Sequence, residues 1–132
     1  MRRTLLTATA LAAFMLTLPI GQATAQEGVA DLKDPSIRSF AMACSPARAQ
    51  LRGEQLSEQK ALVLAFCYGF VAGSSESPSN AKMDCAPAGV TVQQRVLILL
   101  KWAEENPEAL NLDRGVALAL AVAAAFPCGR PS

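Results

Sequence analysis

A chain of 132 residues, with 12 lysines and arginines against 11 aspartates and glutamates, has the length of a single domain and no basic excess from which to build a nucleic-acid surface. It contains no histidine, which excludes every triad or dyad that uses imidazole as its base. Half of its residues are hydrophobic and four are cysteine, so a small cross-linked core is within reach.

At the start, Arg2 and Arg3 precede an apolar run from Leu11 to Ile20, followed by Gly21 and Ala23-Thr24-Ala25. This is the three-part layout of a secretory signal peptide, read here as residues 1–25 with cleavage after Ala25 and Ala23 as the competing site. The paired arginines hint at the twin-arginine route, but no extended polar region precedes them, and the general secretory route is preferred. No cysteine lies at the cleavage point, which argues against a lipoprotein. The remainder is close to neutral and has no second run of membrane length, so no membrane association is expected once the signal is removed. Residues 26–35 read as a flexible polar segment and residues 36–132 as one helical domain.

Ser36 can cap a helix in which Ile37, Phe40, Ala41 and Cys44 fall on one face, and Pro46 ends or bends it. Ala47 to Leu56, around Gly53, reads as a short solvated helix or a loop. Ser57 and Glu58 then supply a cap and a first-turn acid for the stretch Ala61 to Gly73, which carries no charge and holds Cys67 at its middle. A helix apolar on all sides is either enclosed or membrane-spanning, and spanning takes about 20 residues. The stretch is therefore expected to be a buried central helix, with Gly69 and Gly73 admitting another helix closely, and Gly73-Ser74-Ser75 with Pro78 stopping it.

Ser74 to Asp84 is polar, contains Pro78 and shows no apolar period, so it is expected to be a surface loop pinned at its far end by Cys85. Its polar side chains, Ser74, Ser75, Glu76, Ser79, Asn80 and Lys82, are the candidate partner-binding residues. Thr91-Val92-Gln93-Gln94 is a capping box that opens a helix with a core stripe of Val92, Val96, Leu99, Leu100 and Ala103. Arg95, Lys101, Glu104 and Glu105 are expected to face outward, and Asn106-Pro107 closes the helix. Pro107 suits the first position of a further turn through Leu110, and Asp113 caps a last helix, Val116 to Phe126, stopped by Pro127-Cys128. No segment alternates with period two. The fold class is all-α: a small disulfide-bonded bundle of four to five short helices, with the central and last helices expected to be the most buried.

The cysteines, Cys44, Cys67, Cys85 and Cys128, are even in number, widely spaced and addressed to an oxidising compartment, which favours two disulfides over free thiols. A zinc site would need four thiolates without any Cys-x-x-Cys pair or histidine, and no metal or cofactor is expected. Three pairings are open; Cys44 with Cys67 and Cys85 with Cys128 is favoured, because the first joins the opening helix to the central one and the second joins the start of the third helix to the end of the last. With the thiols bonded, no cysteine nucleophile remains. Glu104, Glu105 and Glu108 form the one carboxylate cluster, but adjacent helical residues diverge by about 100° and Pro107 interrupts the helix between Glu104 and Glu108, so a solvated face outweighs an acid/base pair. Tyr68 and Trp102 read as packing residues. A binding protein fits better than an enzyme.

Cys67-Tyr-Gly-Phe-Val-Ala-Gly73, Cys85-Ala-Pro-Ala-Gly-Val-Thr-Val-Gln-Gln94, Pro107-Glu108 and Ala125-Phe-Pro-Cys128 resemble, in order and spacing, the Rap/Tai family of immunity proteins over Ile37 to Cys128. The resemblance carries over the scaffold positions: the four cysteines, Gly69, Gly73, Pro87, Gly89, Thr91, Gln94 and Pro127. It implies a helical periplasmic protein, often a homodimer, that binds and inhibits a peptidoglycan amidase effector delivered by type VI secretion. It assigns no effector-facing residue. The alternative is a periplasmic acid-stress chaperone of the HdeA-like type, which without histidine would need carboxylates titrating near pH 4 or below as its trigger. A hydrolase using Glu104 or Glu108 is the least supported reading.

Overall fold

The computed structural model describes residues 31–77 and 84–129; the expected signal peptide, residues 26–30 and the candidate residues Ser79, Asn80 and Lys82 lie outside them. Among the described residues there are five α-helices, α1 (Ile37–Cys44), α2 (Pro46–Leu51), α3 (Glu58–Ser75), α4 (Val92–Glu105) and α5 (Arg114–Ala125), with one 3-10 turn at Pro107–Ala109 between α4 and α5. There is no strand among them, as expected of an all-α bundle.

The start of α1 is fixed by a chain of caps. Ser36 Oγ accepts from the backbone N–H of Ser39, and the Asp34 carboxylate accepts from both the N–H and the hydroxyl of Ser36 at 2.9 and 2.8 Å. The next two orphan donors find carbonyls from the far end of the chain: Ile37 N–H donates to Leu112 at 2.8 Å and Arg38 N–H to Leu110 at 3.0 Å. In return Arg114 N–H donates to the Pro35 carbonyl at 2.8 Å, and Ser36 and Asp113 form an isolated antiparallel bridge. The openings of α1 and α5 therefore cap each other. Of the segment 26–35, residues 31–35 are described, and the Asp31 carbonyl accepts from Ser39 Oγ at 2.6 Å.

Pro46 occupies the first position of α2, where its missing N–H costs nothing, so the chain turns from one helix straight into the next. Ala47 is fully buried, and Gly53, at φ 77°, takes the left-handed conformation that lets the chain leave α2. Ser57 caps α3 through the Lys60 N–H, Thr91 and Gln94 form the capping box of α4 at 3.2 and 2.7 Å, and Asp113 caps α5 through Gly115 and Val116. Each of these starts is the one expected from the residue types.

The core corrects the expectation about burial. The innermost helix is α1, whose Ile37, Phe40 and Cys44 share one core cluster with Leu64 and Val71 of α3, Val96 and Leu99 of α4, and Ala117 and Ala121 of α5, and whose Ala43 is also fully buried. The central apolar helix α3 buries only Leu64, Cys67 and Val71; Leu62 is 66% exposed, and Ala65, Gly69 and Gly73 also face solvent. A Cβ built at Gly69 or Gly73 meets nothing within 4 Å, so no described helix uses those glycines for close approach. The last helix is likewise one-sided, with Val116 50% and Leu120 46% exposed. A domain this small has too few elements to wrap an 18-residue helix on all sides. Much of the uncovered face is Ala and Gly, which exposes little apolar area, so leaving it bare costs little.

Candidate partner-binding site

Helix α3 runs two residues past its expected stop. Ser74 and Ser75 are its last turn, not the start of a loop, and Glu76 is the C-cap. Ser75 Oγ donates to the Val71 carbonyl at 2.8 Å, back-bonding that occupies its hydroxyl, while the Ser77 N–H donates to the Ser74 carbonyl at 3.3 Å. Of these three side chains Glu76 is exposed and the two serines are half-buried.

Asp84 is held more firmly than the sequence suggested. Asp84 accepts from Arg95 Nη1 of α4 at 2.6 Å, and from the N–H of Ala86 at 3.0 Å. The two charged side chains are only 15% and 13% exposed, so Arg95 does not face outward as expected; it reaches across to close the segment in front of its own helix. The signal was present as two opposite charges flanking Cys85, but neither periodicity nor capping rules could pair them. Ser74, Ser75, Asp84, Arg95 and three side chains of α5 together line a recess of about 20 Å³, room for a single water and not for a small-molecule substrate.

Two wider, shallower grooves lie elsewhere. One, of about 360 Å³, runs between α1, α2, α4 and the 3-10 turn, floored by Ala41, Leu100 and Ala103 and rimmed by the Arg48–Glu104 ion pair. The other, of about 720 Å³, lies between α2, α3 and α4, where Tyr68 OH donates to Gln50 at 2.7 Å and burial pushes the Tyr68 phenol up. Neither converges reactive groups. Glu104 is engaged by Arg48 and Glu105 by Lys101, while Glu108 sits on the separate 3-10 turn beyond Pro107. Among the described residues no cluster of three or more histidines, cysteines or carboxylates is placed to hold a metal ion.

Cys44 is bonded to Cys67 and Cys85 to Cys128, with Cα separations of 5.3 and 5.2 Å. The first joins the end of α1 to the middle of α3; the second joins the segment before α4 to the residues after α5. What the molecule offers is a cross-linked helical block with outward-facing surface.

The profile of the Rap1a immunity proteins matches residues 36–128, from the cap of α1 to the last cysteine. The chain belongs to the Rap1a immunity protein family. Searches of curated proteins and of solved structures return no match. The matched span of this Rap1a family member contains every described helix and both disulfides. Immunity proteins bind effector proteins.

Proposed function

We propose that this Rap1a family member binds and inhibits a peptidoglycan amidase effector of a type VI secretion system in the periplasm, after cleavage of its signal peptide, and performs no catalysis of its own. The family match over residues 36–128 carries the reading. The covalent framework supports it, since two disulfides suit an oxidising compartment, and no helix among the described residues is long and apolar enough to cross a membrane.

The effector contact is assigned to the end of α3 and the segment that follows: Ser74, Ser75, Glu76, Ser79, Asn80 and Lys82. The motivation is a polar stretch between two fixed points, the C-cap of α3 on one side and the Arg95–Asp84 pair on the other. A homodimer is part of the same proposal. It is supported by the apolar side chains left in solvent, Leu62 on α3 and Val116 and Leu120 on α5.

The test is direct. The mature protein, mixed with the amidase encoded beside it, should bind by calorimetry, block peptidoglycan hydrolysis and protect cells in which the amidase is exported. Glu76→Lys combined with Lys82→Glu should weaken binding at least tenfold while leaving the far-ultraviolet circular dichroism unchanged. No neighbouring effector and no protection in co-expression would sink the reading. Suppression of client aggregation at pH 2 to 3 would instead favour the acid-stress chaperone.

A further inference from the structure

The two disulfides sit in opposite environments. Cys44 and Cys67 are both 0% exposed, inside the hydrophobic core, and join two helices. Cys85 and Cys128 are both exposed and join two non-helical segments. The described residues Pro87, Ala88, Gly89, Pro127 and Gly129 near the outer pair are exposed, small and uncharged, and the neighbouring Asp84 carboxylate is paired with Arg95. Thiol–disulfide exchange needs a thiolate to reach a sulfur along the bond axis, which makes accessibility the controlling factor when the attacking thiol is held constant.

Each end of the outer bond has a second anchor. On one side Asp84 is paired with Arg95 and accepts from Ala86. On the other, Phe126 packs against the core and its N–H closes α5 on the Val122 carbonyl at 2.8 Å. Opening the bond therefore removes a link between two surface segments without uncovering the core.

We propose that Cys85–Cys128 is a thiol–disulfide exchange site, open in the folded protein to an exported dithiol reductant of the Cys-x-x-Cys type, whereas Cys44–Cys67 is closed to it. One thiolate of the reductant attacks a sulfur of the pair, forming a mixed disulfide and expelling the other cysteine as a thiolate that takes a proton from water. The second thiol of the reductant, deprotonated, attacks the mixed disulfide and releases the remaining cysteine. Two electrons pass to the protein and the reductant leaves as a disulfide. The inner bond becomes reachable only when the core opens, and core opening draws on most of the global stability. This assignment stands on burial and does not depend on the effector reading.

Native, oxidised mature protein is incubated with dithiothreitol, quenched with acid, alkylated with N-ethylmaleimide and mapped by peptide mass spectrometry. A species alkylated at Cys85 and Cys128 alone should form at least about 100-fold faster than the fourfold-alkylated protein, with unchanged far-ultraviolet circular dichroism. Simultaneous alkylation of all four, earlier alkylation of Cys44 and Cys67, or no alkylation until denaturant is added would each overturn the proposal. The Cys85→Ser/Cys128→Ser variant provides the second measurement. It should keep its helical spectrum and a cooperative thermal transition, and failure to fold would show that the outer bond is not separable from the core.

Discussion

Arg114 joins several parts of the molecule. Its guanidinium lies 5.8, 5.5 and 5.0 Å from the ring centroids of Phe40, Phe66 and Phe70, and its Nη1 donates to the Leu32 carbonyl. Phe40 meets Phe66 and Phe70 edge-on, so one cation serves a three-ring cluster drawn from α1 and α3. Arg114→Met, which keeps the apolar stem, should lower stability by about 1–2 kcal/mol in urea unfolding, and Arg114→Lys should recover part of the loss. A loss below about 0.3 kcal/mol would mean that the rings hold without the charge. No local pattern announces this role, because the three phenylalanines and the arginine span residues 40 to 114 and their convergence depends on how α5 crosses α1.

Two carboxyls are held below the usual carboxylate range by hydrogen bonds. Asp34 is held below the usual carboxylate range by the Ser36 N–H first and the Ser36 hydroxyl second, and Glu104 by its hydrogen bond from Arg48. A folded value below the unfolded one means that the contribution is complete above the ordinary carboxylate range of about pH 4 and is lost as pH falls below it. The melting temperature should therefore decline from about pH 4 downward. Asp34→Asn should flatten that decline, whereas Glu104→Gln should change it less, because the Glu104 side chain is 62% exposed. An unaltered acid limb in Asp34→Asn would remove Asp34 from the account.

At the scale of elements, helix starts were legible and helix surroundings were not. Ser36, Ser57, Thr91 and Asp113 each cap the helix that their residue types announced, because a cap is satisfied within a few residues of itself. Thr91→Ala removes one side of the capping box of α4 and should cost about 1 kcal/mol, read as a shift in the urea midpoint at constant slope. The end of α3 is different. Ser74 and Ser75 continue the helix because their backbones remain in register and Ser75 back-bonds to Val71, an outcome that turn composition alone did not reveal. The exposed face of α3 leads to a further expectation. Leu62→Lys should leave monomer stability within about 0.5 kcal/mol of the parent, since the side chain is not in the core. Analytical ultracentrifugation of the same variant reports on the proposed dimer, which should weaken if Leu62 lies in it.

For the whole molecule, the inner cross-link and the core act together. Cys44→Ala/Cys67→Ala breaks a bridge whose sulfurs are enclosed by the side chains of the core, and should cost about 2–5 kcal/mol, enough to leave the domain partly unfolded at 37 °C by circular dichroism. Retention of the full thermal transition would show that helix packing alone suffices.

Composition, cap chemistry and cysteine count determined the all-α class, the helix starts and the need for cross-links, since each depends on neighbours in sequence or on the number of residues of a type. Which helix sits at the centre was decided by tertiary structure alone. Hydrophobicity suggested α3, yet the amphipathic α1 is innermost, because it is short enough for its neighbours to surround and the N–H groups of its first turn are satisfied by distant carbonyls. The burial of Arg95 against Asp84 and the unequal exposure of the two disulfides were settled in the same way, by which surfaces the folded chain had left to cover them.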